Sequence, residues 1–277
     1  MAIKRAMGLL VFAWCFFYLA KSCFAYDIQP YDAQQATDKP GEALSLVFCS
    51  LNYKHAADFA KDREMLIQRL KITPPFNENN KFKFWYINLS QKEEGEVFKP
   101  TSVFPPFKVR QDLLADISAK LKGAYKLVII DAQGSIACAE LSEIRKTSLV
   151  ILGRKALNND HSFAKGFLHE FGHSLGLRDE CVNCQQLSSS GYPNCAASQE
   201  EAEAWWGDLV GKELRVNYIG GCCGNKNYIR PTIASLMNDP NKAEDFGPVN
   251  ERYLQFPPLP SPPHKGEGNV NDVSLAQ

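Results

Sequence analysis

The sequence predicts a mixed α/β (α+β) domain: a twisted, mostly parallel five-stranded sheet with helices against it, followed by an irregular, cysteine-rich C-terminal region. Three observations predict it. From Leu44 to Leu175, short apolar runs bounded by turn residues alternate with stretches of helical periodicity, as in strands joined by helices. Two of those runs then follow one another without a helical stretch, just before a last helix, which marks a pair of neighbouring strands. Five cysteines fall between Cys181 and Cys223, where the periodic pattern has stopped.

Taken in order, residues 26–42 are polar, with Pro30 and Pro40, and read as an irregular arm. Leu44-Ser45-Leu46-Val47-Phe48-Cys49 is the first buried strand. Tyr53 to Lys71 has helical spacing, with Phe59, Leu66 and Leu70 on its inner side, and stops at Pro74-Pro75. Phe82-Lys83-Phe84-Trp85-Tyr86-Ile87 is an aromatic second strand. Gln111 to Lys122 is a helix stopped at Gly123. Leu127-Val128-Ile129-Ile130 is an unbroken apolar run that suits an interior parallel strand. After Asp131 the chain turns at Gly134, and Ser135 to Ala139 reads as a short edge strand. Leu149-Val150-Ile151-Leu152, ended by Gly153, is the fifth strand, and a helix runs from about Ser162 to Leu175. Beyond Cys181 only one further helix is expected, around Gln199 to Leu209. The run Pro257-Pro258-Leu259-Pro260-Ser261-Pro262-Pro263 and the polar remainder over 257–277 carry too little apolar surface for a core and read as a disordered tail.

Residues 1–25 have the build of a secretory leader: Lys4 and Arg5, then an apolar stretch from Met7 to Ala20, then a small-x-small site at Cys23-Phe24-Ala25. The stretch is short for a membrane span, so stable insertion after cleavage is not expected. Its removal deletes Lys4, Arg5 and Lys21, leaving 28 basic against 31 acidic residues in an exported chain. That balance gives no electrostatic footprint for nucleic acid or an anionic membrane. Residues 26–256 suit one domain, with an upper part over 43–176 and a lower part over 177–256 flanking a cleft, and a monomer is expected.

Cys15 and Cys23 depart with the leader; Cys49, Cys138, Cys181, Cys184, Cys195, Cys222 and Cys223 remain. In an oxidising compartment the late cluster reads as disulfides, with a second, structural zinc on Cys181-x-x-Cys184, Cys195 and Cys222 or Cys223 as the rival. Cys49 and Cys138 sit in strands and read as small hydrophobes.

The chemistry concentrates in His169-Glu170-Phe171-Gly172-His173-Ser174-Leu175-Gly176-Leu177-Arg178-Asp179. Residues four apart share a helix face, so His169 and His173 can grip one metal ion. Glu170 is offset by roughly 100° on the same helix, within reach of water on that ion. Gly176 permits a sharp turn that brings Asp179 round as third ligand. Ala164, Phe167, Leu168, Phe171 and Leu175 form the opposite, apolar face, so packing already has its own residues. Two imidazoles and a carboxylate leave a fourth position open, the arrangement of a catalytic zinc.

This segment resembles the metzincin zinc peptidases, in the branch whose third ligand is aspartate, HExxHxxGxxD. The resemblance implies a zinc endopeptidase with Glu170 as general base, one catalytic Zn2+ on His169, His173 and Asp179, and a protein or peptide substrate. Those enzymes place a methionine in a tight turn beneath the metal; Ser235-Leu236-Met237-Asn238-Asp239 looks like that turn, which makes Met237 the candidate. Asn227-Tyr228-Ile229-Arg230-Pro231-Thr232 is similar to the approach to it in secreted, IgA-peptidase-type metallopeptidases. That type sets its aspartate one residue further from the second histidine. Several metzincins carry a tyrosine two residues after the methionine, where this chain has Asp239; Tyr218, Tyr228 or Tyr253 would have to replace it.

Rival ligands are Glu200, Glu201 and Glu203 on the late helix, and Glu180 as ligand or as partner to a ligand histidine. The rival functions are a non-catalytic secreted protein stapled by zinc and a zinc hydrolase acting on non-peptide or cell-wall amides. His161 reads as a solvated residue at the helix start, and Trp205-Trp206 as packing of the late helix.

Overall fold

The computed structural model describes residues 26–32, 43–78, 82–101, 107–139, 148–157, 159–184 and 193–255. The expected leader over 1–25 and tail over 257–277 lie outside the described residues. Strands β1 (Gln29–Pro30), β2 (Leu44–Leu51) and β3 (Phe82–Ile87) come first, then a separate antiparallel pair, β4 (Phe98–Pro100) and β5 (Phe107–Val109). After β6 (Tyr125–Asp131), β7 (Ala137–Ala139) and β8 (Ser148–Gly153), the central sheet is complete in the order β1-β3-β2-β6-β8-β7. β2 runs parallel to β3 and β6, and β6 parallel to β8, while β1 and β7 are antiparallel edges. Six α-helices are present among the described residues: α1 (Ala56–Ile72), α2 (Gln91–Val97), α3 (Gln111–Leu121), α4 (Asp160–Ser174), α5 (Gln199–Trp206) and α6 (Pro248–Leu254). The fold is therefore mixed α/β with a mostly parallel sheet, and one strand larger than expected. The extra strand lies in the arm read as irregular: Gln29 and Pro30 pair with Tyr86 and Trp85, an edge position where the missing proline N–H costs no interior bond.

Period-two alternation builds a core on each face of the sheet. Leu46 and Phe48 of β2, Val128 and Ile130 of β6, and Val150 and Leu152 of β8 pack with Phe59 and Leu66 of α1 and Phe163 and Phe167 of α4. Val47, Cys49, Leu127, Ile129 and Ile151 point the other way, against Leu113 and Ile117 of α3. Every residue of β2 is buried, as a strand covered on both faces requires. Helix α4 lies across β7 and β8 and beside α1. Lys126, fully buried in β6, donates from Nζ to the Ser174 carbonyl at 2.5 Å and so caps the end of α4.

Besides β1, six elements went unforeseen: α2, the β4–β5 pair, the hairpin of β9 (Ile219–Cys222) and β10 (Asn225–Arg230), and α6. The late region carries two disulfides, Cys181–Cys184 and Cys195–Cys222, while Cys49, Cys138 and Cys223 are buried thiols. Among the described residues no helix is long and apolar enough to cross a membrane.

Candidate metal centre

Helix α4 starts where the Asn159 side chain accepts from the Ser162 N–H at 2.8 Å. Phe163, Ala164, Phe167, Leu168 and Phe171 bury one face, and His169 and His173 project from another with ring centroids 4.7 Å apart. The helix ends as the sequence requires at Gly176, whose φ of +99° a side chain would strain. Gly176 N–H bonds the His173 carbonyl at 2.9 Å and Leu177 N–H the Gly172 carbonyl at 3.0 Å, the paired bonds of a Schellman cap. The cap reverses the chain and delivers Asp179 to the histidines.

Three donor atoms then converge. His169 Nε2 lies 3.2 Å from His173 Nε2 and 3.2 Å from Asp179 Oδ1, and His173 Nε2 lies 3.5 Å from the same oxygen. A four-coordinate ion about 2.0–2.1 Å from each donor sets them about 3.3 Å apart, so the triangle suits a small divalent ion. Each ring is held from behind: Nδ1 of His169 is 2.8 Å from the Leu236 carbonyl, and Nδ1 of His173 is 2.8 Å from the Leu177 carbonyl. A carbonyl only accepts, so each Nδ1 carries a proton and Nε2 faces the triangle. Burial opposes charge on His169, but the hydrogen bond and charge of Asp179, with the charge of Glu170, bring its pKa up to about 9. Burial likewise pushes the Asp179 carboxyl up, and the two imidazoles overcome it, holding the carboxyl well below its usual range.

Glu170 is buried beside this cluster, and burial raises its pKa, an effect the nearby His169 and His173 oppose and Asp179 reinforces. A desolvated carboxylate within the field of the ligand set is a stronger proton acceptor than one in water.

Met237 lies against the helix at Gly172. Asn238 and Asp239 N–H groups both bond the Ser235 carbonyl, closing a tight turn. Of the turn's carbonyls, that of Leu236 takes the His169 ring proton and that of Met237 takes the Glu180 N–H at 2.8 Å. A Cβ built on Gly172, midway along the motif, would come within 2.6 Å of the Met237 sulfur and 3.0 Å of Phe246. Glycine at 172 is thus what lets the methionine seat against the helix.

Glu180, weighed as a ligand, is placed elsewhere. Fully buried, it accepts from Asn194 Nδ2 at 3.1 Å and Asn250 Nδ2 at 2.7 Å on one oxygen, and from Ser235 Oγ at 2.6 Å and Thr232 Oγ1 at 3.3 Å on the other. Its carbonyl accepts from Arg230 Nη1 at 3.0 Å. This carboxylate ties four segments together, a role that sequence spacing does not signal. Among the other rivals, Glu201 accepts from the Ala197 N–H at the start of α5, and Glu200 is held by the Ser198 side chain. Tyr218 packs in the cluster of buried Trp206 and Ala202, Tyr228 against Cys195, Cys222 and Cys223, and Tyr253 against the main core. His161 faces Glu244, its Nε2 3.5 Å from Oε1.

Two further groups of metal-type donors exist among the described residues: Cys195, Cys222 and Cys223, and Asp179 with Cys181 and Cys184. In each, two of the sulfurs are joined as a disulfide, in line with the preferred reading of the cysteines. No protein-family model matches the chain, and no curated protein shows significant similarity to it.

Proposed function

We propose that the protein is a secreted, zinc-dependent endopeptidase of the metzincin type. The observation that carries this reading is the near-equilateral triangle of His169, His173 and Asp179 donors with a buried glutamate on the same helix. These three side chains would hold the ion and leave one side open. Bound there, zinc would supply a Lewis acid for the scissile carbonyl and a water whose pKa is lowered toward about 7. Glu170 takes the proton as the carbonyl is attacked and passes it to the departing amine. A purely structural zinc would need no base at position 170.

Other features support the same reading. The elements β2, α1, β3, α3, β6, β7, β8 and α4 follow one another in the order read from the sequence, with α2, β4 and β5 inserted between β3 and α3. Met237 lies in a tight turn against the helix, between the two histidines at Gly172. Strand β7 ends the sheet, so an extended substrate would add beside it as another strand, which selects loops and unfolded segments. Two partly exposed cysteines in a disulfide suit an oxidising, extracellular setting for a chain that begins with a leader-like segment.

The deciding experiment pairs zinc analysis with casein cleavage. The mature protein is expected to bind one zinc, to cleave casein, to lose activity to a chelator and to regain it with zinc. Glu170→Gln is predicted to keep its zinc and lose turnover by about 10²–10⁴-fold. Zinc-loaded wild type that cleaves neither casein nor a broad peptide library would sink the peptidase reading. Full activity in zinc-loaded Glu170→Gln would remove Glu170 from the chemistry.

A further inference from the structure

Three sulfurs meet at the β9–β10 turn. The Sγ atoms of Cys195, Cys222 and Cys223 lie within 4.8 Å of one another, and all three residues are buried. Cys195 and Cys222 are joined as a disulfide, and Cys223 is a thiol. Cys222 ends β9, and in a continued strand the next side chain would point to the opposite face. Cys223 instead has a φ of +52°, a left-handed conformation uncommon for a residue with a side chain. With the chain turned there, both neighbouring sulfurs come beside Cys195. Backbone held in so sparsely populated a region points to a site with a task.

The surroundings suit either partner of Cys195. Cys222 Sγ lies 3.5 Å from the Asp179 carbonyl oxygen and 3.6 Å from that of Asn194. A bridged sulfur has no proton to donate to them, whereas a thiol has one. A loop closed at Cys223 would be one residue longer than the present separation of 27, so the two bridges restrain the unfolded chain alike. Cys49 and Cys138 take no part: they pack in the core on the α3 side of the sheet, apart from this cluster.

We infer that Cys195, Cys222 and Cys223 form an internal disulfide-exchange centre, in which Cys195 bridges to either of the two adjacent cysteines. The Cys223 thiolate attacks Cys195 Sγ, and the Cys195–Cys222 bond breaks as the Cys195–Cys223 bond forms. Cys222 leaves as a thiolate, and the proton that Cys223 lost ends on it. No electrons are gained or lost, so neither an oxidant nor a reductant is required. A disulfide bond is about 2.0 Å long, so a sulfur within 4.8 Å closes by about 2.8 Å or less, which side-chain rotation supplies. Burial keeps soluble thiols from the bridge while the third sulfur stays beside it. The result is one staple with two closed forms. The hairpin is tied to Cys195 in both, and the free thiol alternates between positions 222 and 223. None of this depends on the zinc reading.

The test maps thiols on the mature chain, denatured at mildly acidic pH in excess N-ethylmaleimide so that labelling outruns rearrangement. In the wild type, label is expected on Cys49, on Cys138 and, in different molecules, on Cys222 or Cys223; peptide fragmentation separates the last two. The share at Cys222 should be the same in freshly isolated protein and in protein refolded from the fully reduced state and then held at neutral pH. Label confined to Cys223 overturns the proposal, and so does a share that stays different between the two preparations. Cys222→Ser should close the Cys195–Cys223 bridge and take label on Cys49 and Cys138 alone. Label on Cys195 and Cys223 in the folded variant overturns the proposal too. Should Cys222→Ser not fold, the wild-type maps decide by themselves.

Discussion

The sheet with its helices and the region after Gly176 are held together by different physics. In the first, two apolar clusters line the faces of β2, β6 and β8, and cohesion is spread over many interchangeable contacts. In the second, Leu177, Leu236, Met237, Phe246 and Leu254 join the first core and Ala196, Ala202, Trp206, Val216 and Val249 form a smaller one. Its short elements are also tied to one buried carboxylate, Glu180, which takes four side-chain hydrogen bonds from Asn194, Thr232, Ser235 and Asn250. The Arg230 guanidinium and two disulfides complete it. Distributed apolar burial degrades gradually, whereas a single buried hub fails at once. The candidate metal triangle draws His169 and His173 from the first region and Asp179 from the second, so it forms only when the two are seated.

The contrast is tested most severely at its hub. Glu180→Ala strands four buried donors and is predicted to cost about 3–5 kcal/mol, with loss of metal retention. Ile129→Val, at the centre of the sheet, should cost only about 0.5–1.5 kcal/mol and leave metal content unchanged. Urea denaturation with metal analysis of each variant checks both, and similar losses in the two would erase the distinction. Gly172→Ala comes next: its new methyl meets Met237 and Phe246, and a cost of about 1–3 kcal/mol is expected, recovered in part by pairing it with a smaller residue at 237. Purely additive losses in the double variant would show that the 172–237 contact is not what limits the site.

The smallest effect concerns docking. Glu244 of the late region meets Lys165 Nζ of α4 at 2.6 Å and Arg69 Nη2 of α1 at 2.8 Å. The Lys165 and then the Arg69 interactions lower its pKa from 4.5 to about 2. A depressed carboxyl stabilises the fold above its unfolded value, and the contribution disappears as pH falls through the folded one. The melting-temperature gap between wild type and Glu244→Gln should therefore be constant above about pH 4.5 and close toward pH 2. A gap that persists at pH 2 would mean Glu244 acts by packing instead.

Legibility followed the same division. Strands β2, β3, β6 and β8, with α1, α3 and α4, could be read because their burial imposes a period on the sequence. Helix α2 was also readable and was missed. Ser90-x-x-Glu93 is a capping box, with the serine side chain bound to the Glu93 N–H and the glutamate to the Ser90 N–H, but the stretch carries too few apolar residues to announce itself. Pro248 after Gly247 marked the start of α6 in the same way. The β9–β10 hairpin gave less. Its turn residues, Cys223 and Gly224, both adopt positive φ, a conformation usually advertised by Asn-Gly and here occupied by a cysteine. The convergence of His169, His173 and Asp179 was foreshadowed because helix pitch and the Gly176 cap are local rules. Glu180 was not, since its four donors come from positions as far as residue 250 and no local rule links them.

The atoms that aim both imidazoles are main-chain oxygens, at Leu177 and Leu236. No replacement of either leucine side chain deletes such an acceptor; only a change in the route of the backbone can. Ring orientation is therefore indifferent to the chemical identity of the residues behind it and sensitive to insertions, deletions or nicks in the two loops that carry them. Lengthening either loop by one residue should misdirect a histidine while every side chain of the motif is still in place.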